Sequence, residues 1–163
     1  MSSKSELSEF IVPIRPRYAE VDSMGIVYHG NYLVYFDVGR TEWLRAAGSD
    51  YAELERRGYR LAVVDAALQY RRPAHFDEEL RLAVSVEHVG RATVTFRYEL
   101  RSLQGELLVT GHTRLGCLDT GHRPTGLPAD TLACLRGGPA QGAREPRGGV
   151  REGGIRKGGA ARE

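Results

Sequence analysis

Asp22-Ser-Met-Gly-Ile-Val-Tyr-His-Gly-Asn-Tyr32 runs directly into a long amphipathic segment that closes near Gly48. That segment carries Tyr32, Phe36, Gly39, Trp43 and Ala47 at helical spacing, with Asn31 placed as a predicted N-cap. It reads as a helix of roughly four turns with a broad aromatic face. Gly39 inside it costs roughly 1 kcal/mol relative to Ala unless another backbone packs closely there. Gly48 is a good stop, and residues 50–57 read as a short second helix ended by Gly58. The fold turns on what this single aromatic helix packs against.

Upstream, residues 10–18 look extended, but Pro13 and Pro16 limit them to an edge or irregular strand. Downstream, the period changes from helical to alternating. Leu61 to Arg71 reads as a strand. Leu80, Leu82, Val84, Val86 and His88 share one face of the next run, which makes His88 a core histidine. After a turn at 89–91, Ala92, Val94, Phe96, Tyr98 and Leu100 alternate with polar residues. A second turn at 103–106 leads into the run from Leu107 to Leu118. One face is apolar and the other polar, the signature of an antiparallel sheet covered on one side. These runs are about twice the usual strand length of roughly five to six residues, and long twisted strands curve. The predicted class is α+β, one long antiparallel sheet wrapped around one central helix.

The chain has 163 residues, about one domain with a real core. Residues 10–136 are read as that domain, between a flexible stretch 1–9 and a Gly- and Arg-rich tail 137–163. The tail has almost no large apolar residue and cannot offset its ordering entropy, so disorder is expected. From Gly137 to Glu163, six Lys or Arg stand against three Glu, a surplus of +3 within a total of +2. The domain itself is therefore close to neutral, which argues against nucleic-acid binding. Cys117 and Cys134 have neither short spacing nor a His partner, so no metal site or disulfide follows, and Cys117 reads as a buried thiol. No apolar run reaches the length of a membrane span, and Met1-Ser-Ser-Lys-Ser-Glu6 has no signal-peptide core. A cytoplasmic protein without membrane insertion is expected.

The Asp22 loop combines an acid, a histidine and glycines immediately before a helix start. Such a start offers unpaired N–H groups and a partial positive charge, which can hold developing negative charge. An acid beside it suits hydrolysis of an activated acyl group, although many structural helix caps share the same geometry.

Further residues narrow the choice. Arg17-Tyr18, Asp22, Gly25-Ile26-Val27-Tyr28-His29 and Asn31-Tyr32, with Arg40-Thr41-Glu42 and Leu44 on the helix, resemble the 4-hydroxybenzoyl-CoA thioesterase family. So does Tyr70-Arg71-Arg72-Pro73-Ala74 at a strand break. The family includes the acyl-CoA thioesterase encoded with the bacterial Tol-Pal genes. The resemblance covers roughly residues 10–130, and Asp-x-x-Gly-Ile-Val-Tyr-His before an aromatic helix is its most specific part. It implies a hotdog fold and hydrolysis of acyl-CoA thioesters without metal or organic cofactor. It also implies dimers or tetramers with sites at the dimer interface. By position, Asp22 would be the nucleophile or general base, and the N–H at His29 would polarise the thioester carbonyl.

Each residue has an ordinary structural alternative. Asp22 could make only Asx-turn hydrogen bonds. As a working base it would gain from burial, which raises a carboxyl pKa. The His29 ring could orient substrate, donate to the carbonyl oxygen or sit exposed over the helix start. Gly25 and Gly30 would supply backbone freedom near substrate, and Tyr28 and Tyr32 pocket wall. Arg71, Arg72 and Arg91 could meet coenzyme A phosphates, since Arg suits bidentate phosphate contacts. Glu42 is expected in an ion pair with Arg40 or Arg45, and His75 in a structural role. The alternatives in function are a hotdog lyase and a non-catalytic module binding acyl-CoA or acyl carrier protein.

Overall fold

The alternating runs pair into one five-stranded antiparallel sheet in the computed structural model, which describes residues 10–139. The strands are β1 (Phe10–Ile14), β2 (Arg60–Tyr70), β3 (Leu80–Val89), β4 (Thr93–Ser102) and β5 (Leu107–Leu118). They lie in the order β1-β3-β4-β5-β2. The helices are α1 (Asn31–Ala46), α2 (Tyr51–Arg56) and α3 (Ala129–Gly137). The reading of 1–9 as flexible and of the tail past Pro139 as disordered falls outside the described residues.

The inward face of the sheet holds Leu82, Val84, Phe96, Tyr98 and Leu115, and α1 covers it with Phe36, Trp43 and Leu44, all buried. Phe36 stacks on Tyr98 with centroids 4.2 Å apart, and Trp43 meets Phe96 edge-on at 5.5 Å. Such pairs add specific geometry to the burial of large apolar surface. Two glycines let helix and sheet close. A Cβ on Gly39 would lie 2.6 Å from Leu82 Cδ2, and one on Gly111 2.6 Å from Phe36 Cε2. The cost of Gly39 in the helix is thus offset by β3 side chains rather than by the backbone expected there.

Bulges interrupt three ladders, between Val63 and Asp65, Val86 and His88, and Leu100 and Arg101. Each bends its strand and increases the local twist. The second corrects one expectation. Because Glu87 is the extra residue, alternation slips by one and His88 turns outward to an exposed position instead of entering the core. Glu42 pairs with Arg45, and Arg40 is buried and pairs with Asp37. Cys117 is buried as expected, and burial pushes its thiol pKa up.

The two sheet edges differ. β1 is short and contains Pro13, whereas β2 is 11 residues long with Val63 and Val64 exposed. An edge of the second kind is a template for further strand pairing. No helix among the described residues is long and apolar enough to cross a membrane. The unanticipated element is α3, which buries Thr131 and Leu135.

Candidate active site

The site is assembled from the turn that precedes α1. Tyr18–Glu20 forms a single 3-10 turn, and Glu20 is buried at its end. The Glu20 carboxylate accepts from the Arg17 N–H at 2.8 Å, from Arg17 Nε at 2.8 Å and from the Tyr35 hydroxyl on α1 at 2.8 Å. Burial alone would raise its pKa. The Arg17 N–H, the Tyr35 hydroxyl and the Arg17 guanidinium together outweigh burial and hold the carboxyl below its ordinary range. Burial, and then the neighbouring Glu20 charge, push the Tyr35 hydroxyl up.

The backbone of Glu20 also serves the helix start. Its carbonyl accepts from the Tyr28 N–H at 2.9 Å and from Asn31 Nδ2 at 2.8 Å. This corrects the expected cap. Gly30 occupies the N-cap position without a side-chain bond, while Asn31 is the first helical residue and reaches back to Glu20. The N-terminal N–H groups of α1 are thereby left without the side-chain oxygen a capping Asn supplies.

Between these anchors the Asp22 loop closes on itself. The Asp22 N–H donates to the Ile26 carbonyl at 2.9 Å, and the Gly25 N–H to the Asp22 carbonyl at 3.0 Å. Gly25 sits at φ +75°, a conformation glycine adopts without a Cβ penalty. Asp22 Oδ1 accepts from the Met24 N–H at 2.8 Å, the Asx turn weighed above. Its Oδ2 has no partner among the described residues. Asp22 is half-buried in the isolated chain. The loop is also stitched to the segment after β2, because the Val27 N–H donates to the Ala74 carbonyl at 2.9 Å. The Tyr32 hydroxyl accepts from the Ala74 N–H at 3.3 Å, and burial pushes that phenol's pKa up.

A cleft of about 340 Å³ opens over this loop. Ile26, Val27, Tyr32 and Pro73 form its apolar wall, while Asp22, His29, Arg71 and Arg72 supply polar groups. The His29 ring is exposed and lies against Tyr28 at a centroid distance of 4.3 Å. Its backbone is more telling. The N–H groups of His29 and Gly30 find no acceptor among the described residues, and the His29 carbonyl accepts from the Tyr70 hydroxyl at 3.0 Å. Two free donors at a helix start beside a carboxylate with a bare oxygen can hold an acyl carbonyl and act on its carbon.

Asp22, His29, Tyr32 and Arg72 thus meet at one cleft. Gly25, Tyr28 and Gly30 belong to the loop but do not line the cleft, and a Cβ on Gly30 would meet the Tyr28 ring at 2.8 Å. The Arg72 side chain is engaged by Glu106 at 2.7 Å. Arg91 lies elsewhere. Its carbonyl accepts from the Leu127 N–H, in the turn just before Thr93, which pairs with Gly116. Tyr70 at the cleft pairs with Val109 on the same strand β5, which separates the two by roughly 23 Å along the sheet. Sequence reasoning missed Glu20 and did not place Tyr70 among the site residues. The Arg17–Glu20 spacing of three was the available hint for the first.

The fold and site define a class. The chain matches the family described as the thioesterase-like superfamily over residues 16–135, and it belongs to that hotdog-fold superfamily. Among its relatives, it is 32% identical over 129 residues to the acyl-CoA thioesterase YbgC of Haemophilus influenzae, a match covering 77% of this chain and 93% of that protein. The solved DHNA-CoA thioesterase from Staphylococcus aureus is similar at 34% identity and a TM-score of 0.71, covering 73% of this chain and 80% of that one. The Thermus thermophilus protein TT1821 superposes with a TM-score of 0.74 at 35% identity, covering 77% and 96% of the two chains.

Proposed function

We propose that the chain hydrolyses acyl-CoA thioesters to the free acid and CoA in the cleft over the Asp22 loop. The observation that carries this reading is the meeting of Asp22 and His29 in one cleft at the start of α1, where one Asp22 carboxylate oxygen and the His29 and Gly30 N–H groups have no partner among the described residues. The substrate class follows from superfamily membership and from relatives named for acyl-CoA and DHNA-CoA hydrolysis.

In this mechanism the thioester carbonyl oxygen sits at the two N–H groups, where negative charge developing on it is stabilised. Asp22 Oδ2 acts on the carbonyl carbon. As a general base it removes a proton from water, whose oxygen attacks the carbon, and the C–S bond breaks to release CoA thiolate. As a nucleophile it attacks directly, and water then cleaves the resulting anhydride. Thiolate leaves readily, so neither route needs a strong acid. Where water cleaves that anhydride at Asp22 Cγ, a single turnover in ¹⁸O-water leaves ¹⁸O in Asp22 and passes an Asp22 ¹⁶O to the product acid, a label that the general-base route never gives.

Arg71 and Arg72 line the polar side of the cleft and would meet the phosphates of the coenzyme, with Glu106 as the competing partner of Arg72. The open edge of β2, with Val63 and Val64 exposed, together with exposed Leu33, Val34 and Val38 on α1, supports a homodimer or a higher assembly of dimers. A second copy there would further bury the half-exposed Asp22 cleft. Sedimentation of the purified chain tests this, and a fully active monomer would refute it.

The function is tested by mixing the chain with a panel of acyl-CoAs and a thiol-reactive dye. Release of free CoA that vanishes in Asp22→Asn supports hydrolysis. Binding without release would make the chain a binding module, and hydration of an enoyl-CoA would make it a lyase.

A further inference from the structure

We propose that Tyr70 is a positioning residue for the thioester-binding peptide, a role that rests on the thioesterase reading above. Tyr70 is the last residue of β2, and its strand end is firmly held. The N–H groups of Arg71 and Arg72 both donate to the Leu108 carbonyl, at 2.9 and 3.1 Å. From that fixed point the Tyr70 hydroxyl donates to the His29 carbonyl at 3.0 Å, the one hydrogen bond among the described residues that ties the His29 peptide directly to the sheet. Its ring stands 5.6 Å from Tyr32 and meets the His29 ring edge-on at 6.5 Å, so it also forms part of the cleft wall.

The consequence follows from peptide geometry. The His29 carbonyl and the Gly30 N–H belong to one planar unit and point in opposite directions. Holding the carbonyl from the β2 side therefore aims the Gly30 N–H away from Tyr70. It also sets ψ of His29, which governs how that N–H lies relative to the neighbouring His29 donor. A hydrogen bond to the carbonyl polarises the same amide and strengthens its N–H as a donor. Gly30 has no side chain to hold this peptide in place, and the His29 ring is exposed. Tyr70 supplies the missing restraint. It touches the donor peptide rather than the reacting atoms, so its effect belongs to the chemical step more than to substrate capture.

The test compares Tyr70→Phe with Tyr70→Leu in the full chain, measuring kcat, KM and thermal midpoint on whichever acyl-CoA the wild type turns over fastest. Tyr70→Phe keeps the ring and the wall. It should lower kcat about tenfold, the scale of one lost hydrogen bond, with KM within about twofold. Amide exchange at Gly30 should also speed up in that variant without substrate. Tyr70→Leu should raise KM in addition. A Tyr70→Phe enzyme with wild-type kcat overturns the assignment, as does one whose loss appears wholly in KM or is accompanied by a lowered thermal midpoint. A wild type that binds acyl-CoAs and never releases CoA overturns the thioesterase reading itself, and the role of Tyr70 falls with it. The two failures are therefore separate.

Discussion

Glu20 and Asp22 are two carboxylates two residues apart on opposite sides of one turn, and their surroundings differ in every respect. Glu20 is buried, and both its oxygens are taken by Arg17 and Tyr35. Asp22 is half-buried at the mouth of a cleft, with one oxygen in a local turn and the other unpartnered among the described residues. A fully satisfied buried acid contributes rigidity and is poorly placed to act on a substrate. A carboxylate with a bare oxygen beside free N–H donors is available for chemistry. Proximity in sequence thus says little about role, because the hydrogen-bond partners decide it.

The difference between the two acids shows most strongly in turnover when Asp22 is replaced. Asp22→Asn should lower kcat by about 10²- to 10⁴-fold, the range for loss of a positioned base, while acyl-CoA affinity stays near wild type. Steady-state CoA release paired with equilibrium binding measures both, and near-normal turnover would remove Asp22 from the chemistry.

Glu20→Gln should act mainly on stability, with a loss of about 1–3 kcal/mol for buried bonds to a charged group. Its pH dependence carries a sign. The folded Glu20 carboxyl is held below its ordinary value of 4.5, so its charge stabilises the fold fully above that pH. That stabilisation is lost as pH falls through the lowered folded value. Urea titrations of wild type and variant should differ most at neutral pH and converge in acid. A gap that widened in acid would contradict the buried-acid assignment.

His29→Ala sharpens the division between ring and backbone. The backbone donor survives this change, so turnover should remain within about tenfold of wild type. A loss as deep as that of Asp22→Asn would transfer the role to the imidazole. The smallest effect is expected from Tyr35→Phe, which removes one of the bonds to Glu20. A destabilisation of about 1 kcal/mol, read by denaturant unfolding, with kcat within twofold would fit a scaffold bond.

Much of this molecule was legible in the chain itself. Strict alternation from Leu80 to Leu118 and helical spacing from Tyr32 to Ala47 have different periods, so they identified strands and helix to within a residue or two. The proline pair at 13 and 16 marked the short edge, and the Asp22–Tyr32 motif pointed to the candidate site. What failed did so for local physical reasons. Alternation puts His88 in the core because a bulge has no signature in an alternating pattern. Asn31 reads as the cap because the competing acceptor, the Glu20 carbonyl, becomes its neighbour only after the turn folds. Nine-residue α3, set between Pro128 and a Gly-rich tail, has too few turns to display a period.

Periodicity and residue type act over short range, so the sheet, the helix and the position of the acid are legible along the chain. Folding is what makes one acid satisfied and leaves the other with a bare oxygen, puts Arg91 at the far end of the sheet, and brings Tyr70 across to the His29 carbonyl. The Tyr70–His29 and Arg91–Leu127 contacts join residues far apart in the chain, and Glu20 adds the Tyr35 hydroxyl of α1 to its local partner Arg17, so no local pattern records the whole set.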